Sequence, residues 1–308
     1  MIQEEEANQP QTFRQKFEEQ TLPSWRPILT PKRAVILFFV LGVILFIIGI
    51  IYYLEHKKIH YVDVRYDDIC PVTKLICTVP INIDSDMKGD LHLQYKLTKF
   101  HQNHRRFSYS KVSSQLAGDY VSYQDMESCA PYRSINGSTN ESDFILPCGM
   151  YALSVFNDTF VFTNDSTFFK EDIITLQAEK LLFKPLSEGY VTGLKWLEDN
   201  QLFPGNQTDP HFIVWMRTSS FSNVVKDYGI CKDCELKEGK YEIQIQSNYP
   251  TESFGGEKHI IITESSVLQQ SVLFLPLVFM VSGAFLVFLA AFFLVLIMLN
   301  LRSYAVLR

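Results

Sequence analysis

The chain has 308 residues, of which 47% are hydrophobic, and its formal charge at neutral pH is −6. A mild negative charge argues against nucleic acid as a partner, because nucleic-acid-binding surfaces are strongly basic. Much of the hydrophobic content lies in two long uncharged segments, which are typical of a membrane protein.

Residues 1–33 are predicted to form a cytosolic tail. Phe13 and Phe17 share one face of a short predicted helix within it. Farther along, three prolines hold residues 22–31 extended and leave Trp25 with no core of its own. The sequence leaves open whether Trp25 lies at the membrane interface or docks on another protein.

The first hydrophobic segment, residues 34–54, contains no charged side chain. At about 1.5 Å per residue, a helix of this length crosses a hydrocarbon core about 30 Å thick. A cleaved signal peptide is the competing interpretation, but the segment is long, lacks a small-residue cleavage site and follows a tail of 33 residues. Residues 272–299 are equally free of ionisable side chains and are predicted to form a second transmembrane helix.

Residues 55–271 lie between the two predicted spans and are numerous enough to form one large domain with its own core. All six cysteines and all five N-x-Ser/Thr sequons lie in this segment, which indicates an oxidising, glycosylating compartment. The domain is therefore predicted to be lumenal or extracellular, and residues 300–308, like the N-terminal tail, to be cytosolic. The cysteines are Cys70, Cys77, Cys129, Cys148, Cys231 and Cys234, and the sequons begin at Asn136, Asn140, Asn157, Asn164 and Asn206.

Alternation of apolar and polar residues is the commonest pattern in this domain. It occurs at 91–97 and 241–246 and predicts half-buried strands. A glycine-containing loop leads from the second of these to 259–262, which predicts that the two segments pair as antiparallel strands. The predicted fold is therefore two transmembrane helices flanking a mainly β, antiparallel β-sandwich-like domain with disulfides. Further strands are predicted at 151–162 and 212–216, and short helices at 173–183 and 192–200.

Six cysteines permit fifteen connectivities, and their spacing does not choose among them. Pairing of nearest neighbours, Cys70–Cys77, Cys129–Cys148 and Cys231–Cys234, is the simplest hypothesis. Closing the loop from Cys129 to Cys148 would stabilise the fold by about 3 kcal/mol. The C-x-x-C pair Cys231 and Cys234 lacks the βαβ surroundings of a redox motif, so a structural disulfide is favoured.

The densest polar cluster is His101-Gln-Asn-His104-Arg105-Arg106, which is predicted to continue a strand-like segment. Its two histidines have no acidic third ligand beside them, so hydrogen bonding is favoured over metal binding. The sequence contains no P-loop, dinucleotide-binding, metalloprotease or nucleophile-elbow motif. We therefore predict no cofactor, no metal and no catalytic site.

The two predicted spans carry small residues at a spacing of seven. These are Gly42 and Gly49 in the first span, and Gly283 and Ala290 in the second. Small residues let helices approach closely, so the spans either pack on each other or on a partner, or the spacing is incidental. A transport path through the membrane normally needs polar or ionisable residues on an inward face, and the spans contain no Asp, Glu, Lys, Arg or His.

Seven ordered motifs stand out along the chain: FHQNHRRF at 100–107, SQLAG at 114–118, CAPYR at 129–133, PCG at 147–149, FNDT at 156–159, FIVWMR at 212–217 and NYP at 248–250. With these motifs the chain resembles the non-catalytic β-subunits of phospholipid flippases, the family named for a cell-division-control protein and a ligand-effect modulator in yeast. The resemblance extends over nearly the whole chain, including residues 22–30 of the tail.

This resemblance implies a heterodimer with a type-IV P-type ATPase that moves phospholipids to the cytosolic leaflet. Family members support the ATPase's exit from the endoplasmic reticulum and its phosphorylation cycle, and they carry no ATPase chemistry. The resemblance also implies a β-sandwich, a Cys129–Cys148 bridge, a glycan at Asn157 and a location in the endoplasmic reticulum, Golgi, endosome or plasma membrane. Cys231 and Cys234 fall outside the family pattern. The candidate partner contacts are Trp25, Asn103, His104, Arg105, Arg106, Trp215 and Arg217.

Two other classes of protein compete with this interpretation. A two-span ligand-gated channel subunit shares the bridged external domain, but it would assemble as a homo-oligomer and need polar pore-lining residues. The second span offers only Ser282 for that purpose. A lumenal enzyme ranks lowest, because no acid/base pair stands at a recognisable spacing.

Overall fold

The computed structural model describes residues 12–20, 30–57, 59–72, 76–199, 206–265 and 273–299. The chain divides into two compact units, one comprising residues 1–56 and 272–308 and the other residues 57–271. Within the described residues the helices are α1 (Phe13–Glu18), α2 (Pro31–His56), α3 (Arg105–Tyr109), α4 (Ser113–Leu116), α5 (Met150–Leu153), α6 (Gln177–Lys180), α7 (Trp196–Asp199), α8 (Pro210–Trp215) and α9 (Phe274–Met298). The strands are β1 (Tyr61–Arg65), β2 (Ile76–Ile83), β3 (Met87–Leu97), β4 (Thr159–Phe162), β5 (Val224–Leu236), β6 (Gly239–Gln246) and β7 (Lys258–Glu264).

Helices α2 and α9 are each long and apolar enough to cross a bilayer. They pack against each other through small residues, since Gly42 and Gly283 are both buried where the helices meet. A Cβ atom on Gly42 would lie 2.9 Å from the Gly283 carbonyl oxygen, and one on Gly283 would lie 2.6 Å from the Phe46 amide nitrogen. The two backbones are therefore in direct contact. Of the interpretations left open by the sequence, the structure supports packing of the two spans on each other.

Residues 57–271, which we call the β domain, contain two antiparallel sheets. One has the strand order β1-β7-β3-β5 and the other β2-β6-β4. Leu93 on β3 lies opposite Ile262 on β7, and Ile81 on β2 lies opposite Tyr241 on β6. Alternate side chains of both sheets enter one shared core. The chain is therefore a two-span membrane protein with a mainly β domain between its spans, as its sequence pattern predicts.

The predicted pairing of 241–246 with 259–262 is wrong. These segments form β6 and β7, which lie in different sheets: β6 pairs with β2 and β4, and β7 pairs with β1 and β3. The connection between them is held by Asp158, whose carboxylate accepts hydrogen bonds from the amides of Asn248 and Tyr249 at 2.5 and 2.6 Å. These two long-range hydrogen bonds hold the connection in place, and the local hairpin that the glycines suggested does not form.

Residues 212–216 do not form the predicted strand but belong to α8 and its C-cap. Asp209 caps the helix by accepting a hydrogen bond from the His211 amide at 2.8 Å, and Pro210 occupies the first turn. Consecutive residues from Phe212 to Trp215 are all buried, so the apparent alternation did not reflect two faces of a strand. The segment 151–162 likewise divides into the end of α5 and the short strand β4.

The structure contains three disulfides that join nearest neighbours. Their Cα–Cα distances are 5.9 Å for Cys70–Cys77, 5.7 Å for Cys129–Cys148 and 5.8 Å for Cys231–Cys234. Cys129 and Cys148 belong to a second, smaller core that also contains Met126, Leu146 and Tyr190. The β domain therefore has a crosslink in this smaller core as well as in the sheet region.

Candidate partner-binding surface

The FHQNHRRF segment leaves the end of β3 as a loop and then forms α3, rather than continuing a strand as predicted. Its apolar residues anchor it to the β domain. The ring of Phe107 lies 4.7 Å from that of Tyr151, and the ring of Phe100 lies 5.5 Å from that of Trp215. These rings face inward, and of the polar residues between them all but Gln102 are exposed to solvent.

A buried glutamine fixes the same loop to the end of α8. Gln102 is fully buried, and its amide donates a hydrogen bond of 3.3 Å to the Trp215 carbonyl. Its side-chain oxygen accepts a hydrogen bond of 3.0 Å from the Ser219 amide. Asn103 donates to the Ser220 carbonyl at 2.8 Å. The segments 100–107 and 215–221 therefore form one rigid surface element.

The exposed side chains of this element are basic and aromatic. Tyr109 follows Arg105 and Arg106 at helical spacings of four and three, so the three side chains occupy neighbouring positions on α3. Tyr109 is 70% exposed, and Phe221, next to the residue held by Asn103, is 76% exposed. We define the basic surface as Lys99, His101, Asn103, His104, Arg105, Arg106, Tyr109 and Phe221, all of which are exposed.

Positive charge is concentrated in the part of the sequence that contains this segment. Between Asp90 and Asp119 the chain has five lysines and arginines and no acidic residue, although its overall charge is −6. Two of these cations contact internal groups, since Lys96 pairs with Asp63 and Lys111 lies 4.7 Å from the centre of the Tyr151 ring. Burial lowers the pKa of Lys111.

Arg105 and Arg106 have no partner among the residues that the structure describes. Their side chains make neither an ion pair nor a hydrogen bond to any residue that the structure describes, and both are exposed. A guanidinium group carries its charge at all physiological pH values and presents five N–H donors. The basic surface therefore offers donors and charge that are free to bind another molecule.

Trp215 is not available to a partner, which corrects its place among the predicted contacts. Its side chain is fully buried, and its indole nitrogen donates a hydrogen bond of 3.0 Å to the Tyr151 carbonyl. Trp215 contacts Phe100 and Gln102 inside the domain and so supports the basic surface without forming part of it. Trp25 lies outside the described residues.

Arg217 is engaged within the β domain. Its guanidinium donates to both carboxylate oxygens of Glu179, at 2.7 and 2.5 Å, and to the Ile174 carbonyl at 2.9 Å. Burial opposes ionisation of Glu179, but hydrogen bonds from Arg217 and from the Leu176 amide outweigh it and lower the Glu179 pKa. Arg217 therefore holds α6 against the body of the domain.

Three of the sequence motifs, SQLAG, CAPYR and PCG, meet around the Cys129–Cys148 disulfide. Gln115 of the SQLAG motif is buried and accepts a hydrogen bond of 2.8 Å from the Cys148 amide. Gly149 has a φ of +99°, and a Cβ atom there would collide with the Ser110 carbonyl. Only glycine fits this position without moving the loop that follows α3.

The chain matches a model of a known protein family over most of its length. Residues 55–303 match the model described as LEM3 (ligand-effect modulator 3) family / CDC50 family. This chain belongs to the CDC50 family. The match spans the whole β domain and α9, and it confirms the resemblance drawn from the seven motifs.

Similar CDC50-family proteins cover almost the full chain. Putative ALA-interacting subunit 4 of Arabidopsis thaliana is 30% identical over 312 residues, covering 94% of this chain and 90% of its own length. Cell cycle control protein 50C of Bos taurus is 30% identical over 326 residues, covering 92% of each chain. Cell cycle control protein 50A of Bos taurus is 29% identical over 307 residues, covering 87% of this chain and 84% of its own length.

The sequence missed four components of the basic surface of this CDC50-family chain. Lys99, His101, Tyr109 and Phe221 were not among the predicted contacts, whereas Asn103 through Arg106 were. Tyr109 had a usable signal, because it falls one helical turn after Arg105. Phe221 had none, since long-range hydrogen bonds bring its loop beside α3, among them those from Asn103 to the Ser220 carbonyl and from the Phe100 amide to the Ser222 carbonyl.

The five sequons differ in accessibility. Asn136, Asn140 and Asn164 are exposed, whereas Asn157 and Asn206 are half-buried. The side-chain oxygen of Asn206 accepts a hydrogen bond of 2.8 Å from the Thr208 amide. Occupancy of each sequon stays a prediction.

Proposed function

We propose that this chain is the non-catalytic β-subunit of a phospholipid flippase. In this role it forms a heterodimer with a type-IV P-type ATPase and supports that enzyme's folding, its exit from the endoplasmic reticulum and its activity. The observation that carries the proposal is family membership over residues 55–303. Relatives named ALA-interacting subunits are consistent with a role defined by association with another protein.

The buried charges of the β domain support a structural role. Lys258 and Asp158 are paired at 2.7 Å in the core, and His92 and Asp227 lie 3.1 Å apart between β3 and β5. Each of these groups joins two segments of the fold. We therefore assign them to holding the β domain rigid rather than to chemistry on a substrate.

A rigid, crosslinked domain provides a mechanism for assisting a pump. A partner that contacts one conformation of the ATPase better than another shifts the enzyme toward that conformation by the difference in contact energy alone. Three disulfides and two sheets with a common core limit how far the β domain itself deforms. Because little binding free energy is lost in deforming the β domain, more of it is available to stabilise one conformation of the ATPase.

The β domain is proposed to lie in the secretory lumen or outside the cell, with both termini in the cytosol. The three disulfides and the exposed sequons at Asn136, Asn140 and Asn164 support this orientation. Replacing each of the three asparagines by Gln and treating the chain with a glycosidase tests it. A chain whose mobility never changes on glycosidase treatment would contradict a lumenal β domain.

The functional experiment measures the ATPase with and without this chain. We expect a type-IV P-type ATPase to co-purify with it in a one-to-one complex, and phosphoenzyme formation to fall when the chain is omitted. Equal phosphoenzyme levels in both preparations would contradict the proposal. A cross-linked homotrimer would instead favour the channel, although the Ser282 hydroxyl donates to the Phe279 carbonyl of its own helix at 3.2 Å.

A further inference from the structure

We infer that Thr30 is a phosphorylation site for a proline-directed protein kinase. This inference rests on the proposed orientation, in which residues 1–33 lie in the cytosol, where protein kinases and ATP are present. Thr30 begins the sequence Thr-Pro-Lys-Arg at 30–33. The chain contains 13 prolines, and Pro31 is the only one that directly follows a serine or a threonine. The sequence therefore offers such a kinase one site, directly before the first span.

Proline is recognised after the acceptor hydroxyl because of what its backbone lacks. It has no N–H, so an apolar kinase pocket without a hydrogen-bond acceptor admits proline, whereas any other residue would be left with a buried, unpaired N–H. Lys32 and Arg33 follow the hydroxyl at two and three positions, and cations there pair with acidic groups at the edge of a kinase active site. The four residues at 30–33 therefore contain the acceptor and both features that direct a kinase to it.

The structure leaves this site accessible. Thr30 is exposed and lies directly before α2, where its carbonyl accepts a hydrogen bond of 3.0 Å from the Ala34 amide. Its hydroxyl makes no hydrogen bond to any residue that the structure describes. Lys32 and Arg33 are also exposed, and neither forms an ion pair within the described ranges. Because the uncharged segment begins only at Ala34, the hydroxyl and both cations precede the part of α2 that enters the hydrocarbon.

The reaction is a phosphoryl transfer from ATP. A bond forms between the γ-phosphorus and Thr30 Oγ1 while the bond from that phosphorus to the β,γ-bridging oxygen breaks, ADP leaves, and the hydroxyl proton passes to a carboxylate of the kinase. The phosphate adds a charge of about −1.5 to −2 at pH 7. Negative charge is favourable at the start of a helix, so α2 is compatible with the product.

Phosphorylation cancels the positive charge at the start of α2. Lys32 and Arg33 give residues 30–33 a formal charge of +2, which the phosphate reduces to about zero. Cations beside a span are attracted to the anionic lipids of the cytosolic leaflet, so the phosphate weakens this attraction. Hydrolysis of the phosphate by a phosphatase restores it. Thr30 is therefore a reversible control on how the N-terminal tail is held at the membrane.

Transfer of labelled phosphate to the purified full-length chain tests the site. The chain is placed in lipid nanodiscs and incubated with a cyclin-dependent kinase, Mg²⁺ and ATP labelled at the γ-phosphate, and tandem mass spectrometry locates the product. We expect phosphate on Thr30, none in Thr30→Ala, and a yield within about twofold of the original in Thr30→Ser, which keeps the hydroxyl. No incorporation, or phosphate on Thr21 or Ser24 instead, would overturn the inference.

A matched pair of variants tests the requirement for proline. Pro31→Ala keeps the hydroxyl and places a good helix former in the first turn of α2, yet it is expected to lower the rate of transfer about tenfold. Pro27→Ala removes a proline of the same tail that follows an arginine, and it should leave the rate within about twofold. Equal rates in the two variants would reject recognition through Pro31.

The chain isolated from cells decides whether the site is used. We expect phosphate on Thr30 in chains purified with a phosphatase inhibitor, and its loss after phosphatase treatment. Absence of the phosphate from a chain whose β domain carries glycans would mean that the inference is wrong while the proposed orientation and function stand. A tail protected from protease in intact vesicles would contradict both the orientation and the inference. Failure of an ATPase to co-purify would reject the proposed function alone, because the phosphate on Thr30 is measured independently.

Discussion

Lys258 and Asp158 form an ion pair of 2.7 Å in the centre of the β domain, where their side chains are 1% and 0% exposed. The lysine also donates to the Ser247 hydroxyl and the Tyr249 carbonyl, at 2.7 and 2.9 Å. Tyr66 donates to the same aspartate at 2.7 Å, and burial, followed by the charge of Asp158, raises the pKa of Tyr66 well above its usual value. One buried pair therefore links three separate parts of the chain.

Removing one partner of this pair is expected to destabilise the fold strongly. Lys258→Met leaves the Asp158 carboxylate buried without its cation and should lower the free energy of unfolding by about 3–5 kcal/mol. We expect Asp158→Asn to lower it by about the same amount. The second substitution keeps the sequon at Asn157. The double variant should lose less than the sum of the two single losses, because neither charge remains uncompensated. Thermal unfolding of the detergent-solubilised chain measures all three.

An exposed pair serves as the control for this prediction. Lys88 and Glu235 lie 3.1 Å apart with their side chains 65% and 47% exposed, so Lys88→Met should change stability little. Strictly additive losses at Lys258 and Asp158 would mean that the two residues act independently.

Stability is expected to depend on pH through Lys226. Burial is the main cause that lowers its pKa to about 7, and the charge of Arg217 adds to it. The unfolded chain holds the proton up to the ordinary lysine pKa of about 10.4. Between these values the unfolded state binds more protons, so the free energy of unfolding should rise with pH above about 7 and level off below it.

The variant Lys226→Met removes this titration. We expect the stability difference between the original chain and the variant to shift by several kcal/mol in favour of the original chain between about pH 7 and about pH 10. Melting temperatures of both chains across that range provide the measurement. A constant difference would mean that Lys226 keeps its proton in the folded state.

The contact between α2 and α9 is expected to tolerate no bulk at Gly283. A Leu there would drive its Cβ into the Phe46 amide, which an added Cβ already approaches to 2.6 Å. Cross-linking of Phe38→Cys to Phe293→Cys by a short bismaleimide reports on the pair, because these rings lie 6.2 Å apart. Gly283→Leu should reduce the cross-link, whereas Ala284→Leu, at the exposed neighbouring position, should not. The same loss in both variants would point to a general effect of added bulk.

The disulfides are expected to differ in their contribution to stability. Cys129–Cys148 closes a sequence separation of 19 residues and should contribute about 3 kcal/mol, whereas Cys231–Cys234 closes a separation of 3 and should contribute less. Replacing each pair by serines and comparing unfolding temperatures tests the order. Greater loss from the Cys231–Cys234 pair would show that loop closure is not the dominant effect.

Local patterns predicted the parts of the fold that neighbouring residues decide. The alternation of Leu91, Leu93, Tyr95 and Leu97 correctly indicated the buried face of β3, because strand periodicity is a property of consecutive residues. Helix α8 (Pro210–Trp215) was missed, although Asp209 and Pro210 provide a start signal that the apolar run obscured. The placement of β6 and β7 in different sheets was beyond local pattern, because the strands with which each of them pairs are distant in the sequence.

The sequence by itself determined the two spans, the mainly β domain and the family, because apolar length, residue alternation and ordered motifs are all linear properties of the chain. Only the tertiary structure decided which polar residues are free to bind. Trp215 and Arg217 belong to a single motif, yet one is buried and the other is bound to Glu179, while Arg105 and Arg106 remain without an internal partner among the described residues. The reason is physical: whether a side chain is free depends on which distant groups fold against it, and residue order alone does not specify them.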